Sequence, residues 1–372
     1  MKKILLFFGV VFSNFSPSSA QLQTDSAAQA LVLQSIEKIY NYEFTEAPPL
    51  IARLRNRYPQ HPVGPVLQAL HLYWQYLPLS KNPTATRQYV YTVNQAIELG
   101  EKLLATGKHN DEAHFFLLTA HSFLAMQQSD AGESMKAVGE ARRAYTYLKK
   151  GFNRMDKNPE FYFSTGLYNY YRVQYPENHG IVKPLMLFFA SGDKKLGLQQ
   201  LEMAVKKGNF TRYEAAYYLA YDLIKHENQP ARALPFSTLL YEKFPRNPLF
   251  TARHAEALVF TGRYAEAEPI AERLMQTSGI VPSLAGTVLA GIVQEKFRKN
   301  DKAAMALYQK VVKTPPGERF TKDYVGMAWL GLGRIAQRAG DRAKAREYFR
   351  QALKLSEYRA TVEEARKALK DV

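Results

Sequence analysis

Residues 328–355 read Ala-Trp-Leu-Gly-Leu-Gly-Arg-Ile-Ala-Gln-Arg-Ala-Gly-Asp-Arg-Ala-Lys-Ala-Arg-Glu-Tyr-Phe-Arg-Gln-Ala-Leu-Lys-Leu. Two helices with a break between them are written into this stretch. Trp329, Leu332 and Gly333 fall at i, i+3 and i+4, one face of a first helix. Gly340-Asp341 breaks that helix. Ala345, Phe349 and Ala352 then mark one face of a second helix. Gly333 and Ala345 are small where the two helices would touch, and bulk there would push the pair apart.

The alanine that opens the second helix recurs upstream at Ala304, Ala267 and Ala233, at steps of 41, 37 and 34 residues. Pro245 and Pro316 close two of these units, and Gly262 breaks the helix before Ala267. This pattern resembles the tetratricopeptide repeat: a period of about 34 residues built on W-x2-L-G-x2-Y, then A-x3-F, then Pro. Ala336 replaces the tyrosine and Glu357 the closing proline. The middle segment, with 166–171, 175–180 and 191–197, is similar to exported repeat proteins of Bacteroidetes-type bacteria.

The N-terminal half follows the same logic less regularly. Ala47, Ile51, Leu54 and Pro59 reproduce a second helix, and helices are expected over 63–77, 84–105, 111–127, 133–155 and 159–173. The next second helix is delayed until Asp193, which leaves an insert, 174–191, with an apolar run at 185–190. The run folds back on its own repeat or crosses the inner face. Asn82-Pro83, Asn158-Pro159 and Asn247-Pro248 read as caps followed by proline at the first helical position. Thr211-x-x-Glu214 and Thr361-x-x-Glu364 read as capping boxes. The expectation is an all-α, right-handed α-α superhelix of about eight helix pairs over 21–355, closed by a capping helix at 356–372.

Residues 1–20 read as a signal peptide. Lys2 and Lys3 precede an apolar stretch from Ile4 to Phe12, and Ser18-Ser19-Ala20 offers a cleavage site before Gln21. The mature chain should be periplasmic or secreted, with no transmembrane segment. The absence of cysteine excludes a lipid-carrying Cys, disulfides and thiolate chemistry. The formal charge is +16, and the chain from Arg298 onward carries 18 Lys/Arg against 9 Asp/Glu. Such a balance in an exported protein suits an anionic protein, peptide or envelope polymer better than nucleic acid.

No phosphate loop, dinucleotide fingerprint, G-x-S-x-G or H-E-x-x-H is present. His109, His114 and His121 read as structural rather than as a metal site, Glu363-Glu364 as a solvated helix face, and no cofactor is expected. The resemblance implies that first helices line the concave face. Its inward positions would be Phe163, Leu167, Tyr170 and Tyr171, then Tyr218, Asp222, Lys225 and His226. They continue through Glu256, Phe260, Lys296 and Phe297 to Arg334, Gln337 and Arg338. Aromatic side chains at helical spacing are equally readable as core. The two-carboxylate clamp of some repeat proteins would need Lys and Asn where Tyr218 and Asp222 stand. The expected reading is a non-catalytic scaffold for a protein or peptide partner, touched by these residues and by Tyr175, Glu177 and His179 at the insert. The other reading is an envelope-polysaccharide binder, with Tyr170, Tyr171 and Tyr218 stacking on sugar rings and Glu177 as the plausible acid.

Overall fold

The computed structural model describes residues 22–178, 183, 189–315 and 321–372. Among the described residues there are seventeen α-helices and no strand. They run as eight pairs: α1 (Ser26–Tyr40) with α2 (Ala47–Arg57), α3 (Val63–Gln75) with α4 (Pro83–Ala105), α5 (Asn110–Asp130) with α6 (Ser134–Gly151), and α7 (Phe161–Asn178) with α8 (Lys194–Lys207). The series continues with α9 (Arg212–Lys225) and α10 (Pro230–Lys243), α11 (Pro248–Phe260) and α12 (Tyr264–Met275), α13 (Ile280–Lys296) and α14 (Asp301–Val312), and α15 (Thr321–Arg338) and α16 (Arg342–Leu355). α17 (Arg359–Asp371) stands alone at the end. The architecture is an all-α superhelix.

Local chemistry sets most of these boundaries. The Asn82, Asp193 and Asp341 side chains accept from the backbone N–H groups of Ala85, Leu196 and Lys344 at 3.0, 3.0 and 3.1 Å. Asn247 accepts from Leu249 and Phe250 at the start of α11. Each such cap is worth roughly 1 kcal/mol. Gly340, at φ +79, makes the left-handed turn that separates α15 from α16. α7 begins at Phe161 rather than at Pro159, although Asn158 still accepts from the Glu160 N–H at 3.2 Å. α17 begins at Arg359, so Thr361 lies inside the helix and the capping box expected there is not made.

Small residues let neighbouring helices approach. A Cβ on Gly333 would sit 2.5 Å from the Phe349 ring, and one on Gly291 would sit 2.6 Å from Tyr308. Ala345, Phe349 and Ala352 are the residues α16 buries. The two classes of helix differ in exposure: α16 buries one stripe, whereas α11 is buried all round from Phe250 to Val259 and α13 from Leu284 to Val293. A helix sealed on every side lies within the packing rather than at its surface. The first helices therefore form the inside of the superhelix, and in this half the inside is filled.

The N-terminal pair closes onto the middle of the chain. The Tyr40 ring on α1 meets Trp74, Phe244 and Phe250 at centroid distances of 5.3, 5.7 and 5.9 Å. The Asn247 amide donates to the Tyr40 carbonyl at 2.8 Å, and Lys243 pairs with Glu37 at 2.8 Å. Among the described residues no helix is long and apolar enough to cross a membrane.

Overpacking a buried helix contact should be felt throughout this unit. Ala345→Leu should cost about 1–3 kcal/mol, seen as a lower midpoint in thermal unfolding followed by circular dichroism, whereas Lys354→Leu on the exposed face should leave it nearly unchanged.

Candidate functional site

One inner helix, α9, is sealed except along a single half-buried stripe. From Tyr213 to the end of α9, every residue is buried except Glu214, Tyr217, Tyr218 and Tyr221. Their spacing, i, i+3, i+4 and i+7, puts them on a single stripe. Phe163 of α7 approaches Tyr218 at 5.9 Å, and Tyr217 lies 5.8 Å from Tyr218 and 5.5 Å from Phe250. The Arg253 guanidinium covers the Tyr221 ring at 4.7 Å and Tyr217 at 5.7 Å. The stripe is thus a tyrosine wall with a cation at one end and a carboxyl group at the other.

The N-terminus of α9 explains how Glu214 comes to be there. The expected capping box is not formed, because Glu160 takes its place from the turn before α7. The Glu160 carboxylate accepts from the N–H groups of Asn209, Phe210 and Thr211 at 2.7, 3.1 and 2.9 Å, and from the Thr211 hydroxyl at 2.8 Å. Those donors are satisfied from a distance in sequence. Glu214 is released from the cap and accepts instead from the Tyr40 hydroxyl, and burial raises its pKa above the usual carboxylate range.

Beyond the stripe the interior closes with paired charges. Lys225 at the end of α9 reaches Asp323 of α15 at 2.8 Å and Glu357 at 3.1 Å, and all three are largely buried. Burial alone would lower the Lys225 pKa, but Tyr221, Asp323 and Glu357 outweigh it and hold the ammonium charged. Glu357 is held down to about 2 against its burial by Lys225 and Lys322. Arg253 pairs with Glu256, and Tyr358 donates to Glu256 at 3.1 Å while stacking on Phe260 at 5.9 Å. Between these groups remains a cavity of about 10 Å³, lined by Tyr217, Tyr221, Arg253, Asp323, Tyr324 and Tyr358 among others. That is room for one water.

This geometry sorts the residues expected to touch a partner. Tyr170, Asp222 and Lys225 are buried, so they cannot be contact residues as expected; they hold the wall from behind. Tyr170 donates to Glu227 and Tyr171 to Asp222, each at 2.6 Å. Burial pushes Asp222 up to about 8, with Glu227 adding to the effect, and burial with Lys225 beside it pushes His226 down to about 3. Tyr171 and Tyr218 are half-buried on the inner side. Tyr175 and Glu177 are exposed at the end of α7, where Lys194 joins Gln174 at 2.6 Å, Glu227 at 3.1 Å and Glu177 at 3.4 Å. His179 and the apolar residues 185–188 lie outside the described residues. Phe189, the described end of that run, packs on Tyr145 of the preceding pair at 5.1 Å.

The basic end also differs from the free cationic wall expected of it. Arg334 makes a two-bonded pair with Glu295, at 2.8 and 2.5 Å, and a third contact to Glu364 at 3.0 Å. Arg338 is held by Asp301 and Glu295 at 2.7 and 3.0 Å. Lys296 is exposed, with its pKa lowered by partial desolvation and by Arg334 beside it, and both arginines are paired with carboxylates. They border a shallow groove of about 490 Å³ between α15 and α17. Uncompensated charge lies on the outer faces instead, where Arg342, Arg350, Lys354, Arg366 and Lys370 are exposed. Of the histidines, His121 pairs with Glu140 at 2.7 Å, and among the described residues no three His, Cys, Asp or Glu could share a metal.

The α15–α16 hairpin, with Gly333 against Phe349 and the Gly340 turn, has the geometry of one known unit. Residues 328–358 match the tetratricopeptide repeat family. Further helix pairs precede it in the chain. Two solved structures are similar to the chain. Yeast Tom70 is 12% identical, with 94% of this chain and 90% of that chain covered at a TM-score of 0.37. A monomeric mutant of IFIT1 with Gppp-AAAA is 15% identical, with 94% and 70% covered at 0.36. No curated protein matches the chain.

Asp222 gives the fold a testable pH dependence. Its folded pKa, about 8, stands above the ordinary value of 3.8, so the folded state holds a proton that the unfolded state has lost. That stabilisation is complete below the unfolded value and is lost as pH rises through the folded one. Histidines such as His226 are mostly neutral in both states only from about one unit above their unfolded pKa of 6.5. Stability measured by urea unfolding should fall between about pH 7.5 and 9, and Asp222→Asn should flatten that slope.

Proposed function

We propose that this chain is an exported, non-catalytic scaffold that holds an extended segment of a protein partner along the inner face of α9. One observation carries the reading: α9 is buried on every side except the stripe of Glu214, Tyr217, Tyr218 and Tyr221. Tyrosine offers a large, stiff and amphipathic contact surface at low entropic cost, which is why it recurs at binding hot spots. The wall behind it is fixed by Tyr171–Asp222 and Lys225–Asp323, so little order has to be imposed when a partner docks. The buried and paired charges serve this rigidity rather than direct contact. The exposed cations of α16 and α17 favour approach of a partner that is anionic elsewhere on its surface. Tyrosine rings would also accept a sugar polymer, and the test includes one.

The full chain should enrich a family of sequences from a displayed dodecapeptide library, and should show no comparable affinity for soluble peptidoglycan fragments. Tyr218→Ala should weaken the selected peptides by about tenfold or more, with an unchanged far-ultraviolet spectrum. Binding that ignores Tyr218→Ala and Phe163→Ala would place the partner elsewhere. Export is checked separately: after expression with its own N-terminus, the protein recovered outside the cytoplasm should begin at Gln21 on N-terminal sequencing.

A further inference from the structure

Most inner acids among the described residues are matched with cations, and Glu214 is not. Asp323 and Glu357 have Lys225, Glu256 has Arg253, Glu295 has Arg334 and Arg338, and Glu227 has Lys194. Asp222 lacks a direct cation too, but it is sealed and takes the Tyr171 hydroxyl. Glu214 is half-open, its stated partner is the neutral Tyr40 hydroxyl, and among the described residues no cation pairs with it. It also gives up the capping role that its position after Thr211 offers, a role Glu160 performs instead. An acid that leaves its local capping role for a neutral hydroxyl, with no cation beside it, suits a positively charged group brought by a partner.

We infer that Glu214, walled by Tyr217 and Tyr218, is a subsite for a basic side chain, Lys or Arg, of the docked segment. This rests on the docking surface proposed above and adds its selectivity. The chemistry fits an organic cation. Aromatic faces attract it through their quadrupole, most strongly where water is excluded, and the carboxylate supplies the counter-charge. A metal ion is a poorer fit, since among the described residues no set of three acidic or imidazole ligands converges anywhere. Burial raises the Glu214 pKa, and a neighbouring cation would oppose that effect. The remaining positive end of the wall, Arg253, is already neutralised by Glu256, so the open stripe presents an acid alone.

The test uses the full chain and the peptides enriched from the dodecapeptide library. The enriched family should carry Lys or Arg at one aligned position. A labelled Arg peptide should lose about tenfold in affinity, read by fluorescence anisotropy, when that residue is replaced by the neutral isostere citrulline. Glu214→Gln keeps an acceptor for Tyr40, so its thermal midpoint should stay close to that of the parent. It should bind the Arg and citrulline peptides equally. Enriched peptides without a common basic position, or a Glu214→Gln protein that still prefers Arg, would overturn the subsite while leaving the docking surface intact if Tyr218→Ala still weakens them. Failure to enrich any sequence that depends on Tyr218 would overturn both.

Discussion

The interior of this superhelix is closed by a charge cluster whose centre is Lys225. Its ammonium bridges α9 to Asp323 at the start of α15 and to Glu357 in the link before α17. Three repeats lie between the first and last of these contributions in sequence. Buried charges are expensive unless paired and hydrogen-bonded, so the curvature must bring these helices to one register. A looser superhelix would leave Lys225 and Asp323 apart and desolvated. The Glu357 N–H, donating to Asp323 at 2.7 Å, fixes the chain just before the final helix. The same requirement repeats at Glu295, where Arg334 and Arg338 converge from α15.

The N-terminal half meets this filled half through aromatic packing rather than charge. Tyr40 sits among Trp74, Phe244 and Phe250, edge to face, and its hydroxyl reaches Glu214. Closure of α1 onto α9–α11 therefore builds one edge of the wall, while α7 builds the other through Phe163 and Tyr171. The stripe on α9 is what the two closures leave half-buried rather than sealed. Buried groups behind α9 hold its angle.

Local rules fail near this wall, and they fail for a common reason. Thr211 and Glu214 form a legible capping box, yet Glu160 caps the helix from another repeat. Arg334 and Arg338 look like a free basic patch on a helix face, yet carboxylates of α13, α14 and α17 neutralise them. In each case an acid distant in the chain outcompetes the local or solvent partner, because it is held close and partly desolvated, where Coulomb attraction is stronger.

The sequence by itself determined the repeat. Gly333, Gly340, Ala345, Phe349 and Ala352 fix a helix hairpin through spacing and size alone, and the Ala304, Ala267 and Ala233 series extends it. Asn82, Asp193, Asn247 and Asp341 place helix starts, because a cap needs only three or four consecutive residues. Those features act over one turn or one hairpin, so a linear pattern contains them. Tertiary structure decided which side chains face the interior as surface and which as core. Tyr170, Asp222 and Lys225 share the inward spacing of Tyr218, yet they are sealed; for Lys225 this is because α15 and the link to α17 come back against the end of α9. Glu214 reads in sequence only as the acid of a capping box, since its half-buried place on the stripe follows from where Glu160 and Tyr40 arrive. How tightly a superhelix winds is a sum of small rotations over many repeats, and only that sum brings residues 40, 160, 214 and 323 around one wall.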